Sequence, residues 1–157
     1  MSELESRVFR YRHRVTYAEC TVGNHIYHSR YLDLLEAARG EFLRHVGFPL
    51  TALQDAGAIF PVLEARLRYV RPARYDDLLV IEVELIELEG VRLGVLHRVK
   101  REDGTLLAEA ETRHVCTRLD DKPRRLPPEL VAVLRPWLRE SVGASSGDSA
   151  LNRGHVA

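Results

Sequence analysis

The stretch SRYLDLLEAARGEFLRHVGFP, residues 29–49, changes the period of the chain. Tyr31, Leu34, Leu35, Ala38 and Phe42 recur at spacings of three and four, which lines them up on one helix face. Ser29 offers an N-cap, and Gly47 followed by Pro49 gives a stop signal. The spacing predicts one long helix from about residue 30. Ala37 and Ala38 are small enough to let it lie close against a sheet.

Outward from this helix the period is two. Upstream, Val8, Phe9, Tyr11, Val15 and Tyr17 read as a first strand over 7–19, and Gly23-Asn24 breaks the pattern into a loop over 20–28. Downstream, a short Leu/Ala stretch leads into a second strand over 58–70. A third covers 78–88, with Leu79, Ile81, Val83 and Leu85 on one side and Glu82 and Glu84 on the other. A turn at 89–92 precedes a fourth strand through Val99. Asp103-Gly104 signals a hairpin into a fifth over 105–118. A short helix follows the prolines near 127, and Pro136 should end or kink it. The pattern predicts an α+β domain over 1–127, a short helix over 128–140 and a Gly/Ser-rich, mobile tail over 141–157. A single helix covers one sheet face. An apolar second face would need a partner, so self-association is expected.

The 157 residues suit one domain with a real core, and there are no internal repeats. Lys plus Arg and Asp plus Glu balance at 23 each, so no global positive excess points to nucleic acid or a membrane surface. No segment reads as a signal peptide or membrane span. Cys20 and Cys116 are too few for a zinc site and read as free thiols of a cytoplasmic chain.

Two segments carry more than fold class: YAECTVGNHIYHSRYLDLLEAARGEFLRHVGFP (17–49), and FPVLEARLRYVRPARYDDLLVIEVEL (60–85) together with VCTRLDDKPRRLP (115–127). They resemble the 4-hydroxybenzoyl-CoA thioesterase family, in particular its short-chain acyl-CoA branch associated with the Tol-Pal system. The resemblance implies a hotdog fold, a curled antiparallel five-stranded sheet wrapped around the long helix. It also implies homodimers or homotetramers with sites at subunit interfaces, and cleavage of acyl-CoA or acyl-carrier-protein thioesters with no cofactor and no metal. In that family a loop carboxylate after the first strand attacks or activates water, while a backbone N–H at the helix start polarises the thioester carbonyl. Helix N-termini present unpaired donors suited to that task.

Aligned on these motifs, the family's acidic position holds Thr21. A threonine hydroxyl orients water but is no general base unaided. The resemblance keeps Tyr17, His28, Glu36 and Arg39 in place and puts Glu19 two residues before the altered position. Asn24, Tyr27 and Arg39 are implied as substrate-binding residues. Members from polyketide pathways carry an amide at the loop position and rely on a helix arginine, which Arg39 matches.

Three residues are candidates to replace the lost base. His28 could serve as a general base, since histidine side chains are the usual proton acceptors near neutral pH, or could merely pack at the helix entrance. Glu19 could equally be an acceptor for loop amides. Glu64 faces either a pocket or solvent. Glu36 and Arg39 are spaced to pair along the helix. Arg66, Arg68 and Arg74 could hold the phosphates of coenzyme A or lie on a solvated face. His25 with His28 lacks a third metal ligand. His45, His97 and His114 have no motif support. The reading is an acyl-thioester hydrolase using Thr21, Tyr17 and one of His28, Glu19 or Glu64. The alternative is a hotdog protein that binds acyl thioesters without cleaving them. A dehydratase of the same fold would need a histidine-acid spacing that is absent.

Overall fold

The computed structural model describes residues 7–140. The expected tail at 141–157 lies outside the described residues. Five strands form one antiparallel sheet: β1 (Phe9–Arg14), β4 (Val62–Tyr69), β5 (Leu78–Glu89), β6 (Arg92–Arg101) and β7 (Leu106–Val115), in the order β1-β5-β6-β7-β4. A two-stranded hairpin, β2 (Cys20–Thr21) and β3 (His25–Ile26), leads into the helix α1 (Arg30–His45). The expected α+β hotdog is the observed fold.

Helix α1 buries the predicted stripe, Tyr31, Leu34, Leu35, Ala38 and Phe42, in one core with Leu79, Ile81, Val83 and Leu85 on the inner face of β5. Each such side chain contributes about 1.5–3 kcal/mol on burial. Gly47, at φ 92°, ends α1. The amides of Gly47 and Phe48 reach back to the carbonyls of Arg44 and Leu43, satisfying acceptors the helix leaves open. Ser29 occupies the cap position, but its side chain makes no capping bond.

Two strand bounds are corrected. The first strand stops at Arg14, not near residue 19. Thr16 and Glu19 bond reciprocally as a capping box and start a 3₁₀ turn over Tyr17–Glu19. The second strand covers Val62–Tyr69 rather than 58–70, with a bulge between Val62 and Glu64; Pro61 has no N–H to donate to a ladder. The Leu/Ala stretch forms a short helix, α2 (Leu50–Asp55).

Helix α3 (Pro128–Leu134) tightens into a 3₁₀ turn that contains Pro136. Beyond it Leu138 bridges to Leu85, and the Arg139 amide donates to the Leu85 carbonyl at 2.8 Å, beyond the end of β1 along β5. The outer face of the sheet is polar, unlike the apolar face that would demand cover. Glu82 meets Lys100 (2.8 Å) and Arg10 (3.3 Å), and Glu84 meets Arg98 (3.0 Å) and Arg139 (2.6 Å). Among the described residues no helix is long and apolar enough to cross a membrane. Both cysteines are free thiols.

Candidate active site

The loop that carries Thr21 is built from its backbone. Thr21 pairs with His25 across the hairpin, and the Asn24 amide donates to the Thr21 carbonyl at 3.1 Å. Gly23 (φ 90°) and Asn24 (φ 57°) sit in the left-handed region that the tip requires. Arg74 Nη1 donates to the carbonyls of Gly23 (3.1 Å) and Asn24 (3.4 Å). The Tyr27 amide donates to the Glu19 carbonyl at 3.0 Å, and the Tyr69 hydroxyl to the His28 carbonyl at 2.9 Å. Two of these bonds lie within the loop, and three, from Arg74 in the β4–β5 connection and Tyr69 at the end of β4, pin it to its neighbours.

Glu19 anchors the loop's start. Its carboxylate accepts from the Thr16 hydroxyl (2.6 Å), the Thr16 amide (2.8 Å) and His13 Nε2 (2.8 Å). Burial pushes this carboxyl up, but the bonds from Thr16 and His13 outweigh it and hold the group below its ordinary range.

A groove of about 400 Å³ lies between this loop, the start of α1 and the end of β4, lined by Thr21, Tyr27, His28, Tyr31, Tyr69 and Arg71 among others. Among the described residues no carboxylate lines it. Tyr27 and His28 lie ring against ring at 4.4 Å, and Tyr31 stands edge-on to Tyr69 at 5.2 Å. Arg30 donates to the Tyr27 carbonyl at 2.9 Å, whereas the amides of His28, Ser29 and Tyr31 bond no backbone carbonyl among the described residues. These are the open donors of a helix start.

A second, larger cavity of about 530 Å³ runs under the middle of α1. Leu43, Phe60, Leu85, Leu93 and Val95 supply apolar walls, and Arg39, Thr112 and His114 are its inner polar residues. His114 Nδ1 faces the Phe60 carbonyl at 3.2 Å and its Nε2 faces the Thr112 hydroxyl at 2.9 Å. The carbonyl can only accept, so Nδ1 carries the proton and the hydroxyl donates to Nε2. Behind it, His97 is fully buried and donates from Nδ1 to the Ala110 carbonyl at 3.3 Å; its Nε2 has no partner among the described residues. Burial, assisted by the charge of Arg39, pushes His97 down to about 3 and His114 down to about 4. Burial also lowers Arg39, opposed by Glu36. The Glu36–Arg39 pair expected from their spacing does not form: among the described residues no carboxylate comes within ion-pair distance of Arg39.

The sequence profile of the thioesterase-like superfamily matches residues 15–138. The chain belongs to that superfamily. It is 38% identical over 130 residues to the acyl-CoA thioester hydrolase YbgC of Escherichia coli, covering 82% of this chain and 97% of that protein. Among solved structures it is similar to a hypothetical protein from Thermus thermophilus (36% identity, TM-score 0.76, 80% of this chain and 96% of that one). It is also similar to a probable thioesterase from Bartonella henselae (31% identity, TM-score 0.72, 76% and 99%).

In this superfamily member, the groove brings together Thr21, Tyr27 and His28 from the sequence-derived set. Asn24 and Arg74 shape the loop beside it. Tyr17 is 82% exposed and packs edge-on against Tyr75 instead. Glu64, Arg66 and Arg68 project from the outer face of β4, opposite Arg113, Glu111 and Glu109, and Glu64 pairs with Arg66. Arg39 lies in the other cavity. Sequence reasoning missed Tyr31 and Tyr69 as groove walls, and missed Thr112 and His114. The alternation of β7 carried the signal for the latter pair, since it sets both among inward-facing alanines.

Proposed function

We propose that the chain is an acyl-CoA thioester hydrolase whose chemistry takes place in the groove at the start of α1. One observation carries the reading: Thr21, His28 and Tyr31 line a single groove, and the amides of His28 and Tyr31 bond no backbone carbonyl among the described residues. The amides of His28 and Ser29 hold the thioester oxygen, where charge develops. The Thr21 hydroxyl orients a water molecule and the His28 imidazole takes its proton as the water oxygen attacks the carbonyl carbon. Collapse of the tetrahedral intermediate expels the thiolate, which recovers that proton from the imidazolium. Glu19 is committed to Thr16 and His13, and Glu64 to the outer face, so neither is assigned the base. The thiol half is coenzyme A or a carrier-protein arm.

The same proposal includes a homodimer formed along β4. Val62, Leu63, Tyr69 and Val70 are exposed large apolar residues along this edge. Its outer row reads Glu64, Arg66, Arg68. Two copies meeting antiparallel about Arg66 would set each Glu64 against an Arg68, whereas the outward row of β1 is Arg10, Arg12 and Arg14 and repels itself.

A second reading has its own observation. With no carboxylate in the groove among the described residues, the protein would bind acyl thioesters without turning them over. Thiol release from short, long and aromatic acyl-CoAs decides between the two. A wild-type rate that collapses in His28→Ala supports the hydrolase. A negligible wild-type rate that rises in Thr21→Asp by about 10²–10⁴-fold, the usual value of general-base help, supports the binding protein. Inert wild type and inert Thr21→Asp, both folded, would remove the groove from consideration.

A further inference from the structure

Inside the chamber under α1, Arg39 is the strongly polar group without a hydrogen-bond or ion-pair partner among the described residues. Its guanidinium stays charged and carries five donors. Its inner neighbours offer no counter-charge, and Glu36 at the mouth acts on it only from beyond ion-pair distance. Thr112 is bonded to His114, His114 to the Phe60 carbonyl, and His97 to the Ala110 carbonyl, which leaves both rings neutral. Asp33 and Glu36 line the mouth, but both are exposed and Asp33 turns to Arg30 at 3.5 Å. Water screens charges in that position. The interior therefore sets one half-buried, unpaired cation beside apolar walls. Its complement is an apolar chain that ends in an anion, because a carboxylate matches the guanidinium fork with two parallel bonds.

We infer that this chamber receives an acyl group that carries a carboxylate at the end remote from the thioester, with Arg39 as its partner. This rests on the hydrolase reading for the thioester end and on the chamber alone for the other end. Arg39 follows Tyr31, a groove residue, by eight positions, about 12 Å along the helix axis. That span calls for a medium-length chain rather than a two- or three-carbon one. The cavity volume of about 530 Å³ accommodates it.

The test uses non-hydrolysable coenzyme A thioethers with an eight-carbon chain ending in either a carboxylate or a methyl group, titrated calorimetrically into the full-length protein. The carboxylate probe should bind at least about tenfold more tightly, since a site built around a polar partner rejects the analogue that lacks it. Arg39→Leu should abolish the difference, and Arg39→Lys, a point charge without the fork, should keep part of it. Should Arg39→Leu fail to fold, the comparison of the two probes on wild type still decides. Equal binding of both probes overturns the inference, including the case in which a carboxylate of a second copy already occupies Arg39. The assay is independent of turnover. Carboxylate-selective binding with no hydrolysis of the matching thioester would retire the hydrolase and keep the chamber. Hydrolysis with equal affinities would do the reverse.

Discussion

The groove at the start of α1 and the chamber beneath its middle share one helix and differ in almost everything else. The groove is open and its unpaired donors are backbone amides. Much of its lining, Thr21 to His28, hangs from a loop whose shape is set by contacts elsewhere. The chamber is walled by leucines, valine and phenylalanine that also pack the core, and its inner polar members are Arg39, Thr112 and His114, with His97 buried behind them and both rings held neutral by burial. The proposed chemistry and most of the stabilising packing are therefore separated in space. An exposed groove residue such as Tyr27 can change with little cost to folding, whereas chamber walls such as Leu43, Leu85, Leu93 and Val95 belong to the core.

The strongest way to break that contrast is to truncate one residue on each side. Leu85→Ala, at a fully buried chamber wall, should cost about 3–5 kcal/mol in urea unfolding. Tyr27→Ala, half exposed in the groove, should stay within about 0.5 kcal/mol. Comparable losses would erase the distinction.

Acid sharpens it next. His97 and His114 hold folded values of about 3 and about 4 against an ordinary 6.5, so the unfolded chain binds more protons than the folded one between those limits. Their stabilising contribution is complete above pH 6.5 and falls as the pH drops toward 4. The slope is up to about 1.4 kcal/mol per pH unit for each ring. Urea midpoints at pH 7, 6, 5 and 4 should show it, and His97→Gln should flatten the curve. A flat wild-type profile would mean the rings do not sit in a dry chamber.

The smallest effect comes from the loop clamp. Arg74→Met removes two bonds to the carbonyls of Gly23 and Asn24 and should cost under about 1 kcal/mol globally. Amide exchange should nevertheless accelerate at residues 21–26 while β5 and β6 stay protected. Uniform acceleration would mean that the loop and sheet unfold as one unit.

The sequence made α1 and β5 legible because each buries one regular face: spacings of three and four over 31–42, and strict alternation over 79–85. It concealed the short elements. Thr16-Tyr17-Ala18-Glu19 is a capping-box pattern, yet it follows a strand whose alternation continues through Val15 and Tyr17, and the longer pattern masked the local one. Helix α2 spans fewer than two turns, too short for a period to be recognised. The groove was partly legible because Thr21 and His28 lie seven residues apart in one motif. The chamber was not. Arg39, Thr112 and His114 come from α1 and β7, more than seventy residues apart, and only pairing of β7 with β4 and β6 carries them under the helix. The charged outer row of β4 was readable as a shared face for Arg66 and Arg68, but its side of the sheet was not.

The pinning of the 19–28 loop has a consequence for heat and entropy. Arg74, the Tyr69 hydroxyl and the Glu19 carbonyl immobilise a segment that, left free, would surrender about 1–2 kcal/mol of backbone entropy per residue when a ligand ordered it. Here that freedom is given up during folding. Under the proposed function, an arriving thioester would meet amides already aimed, and its affinity need not first overcome the ordering of the loop. Association should proceed with little movement of the backbone, and the heat capacity change on binding should reflect apolar surface covered by the acyl chain rather than any coupled folding of the loop.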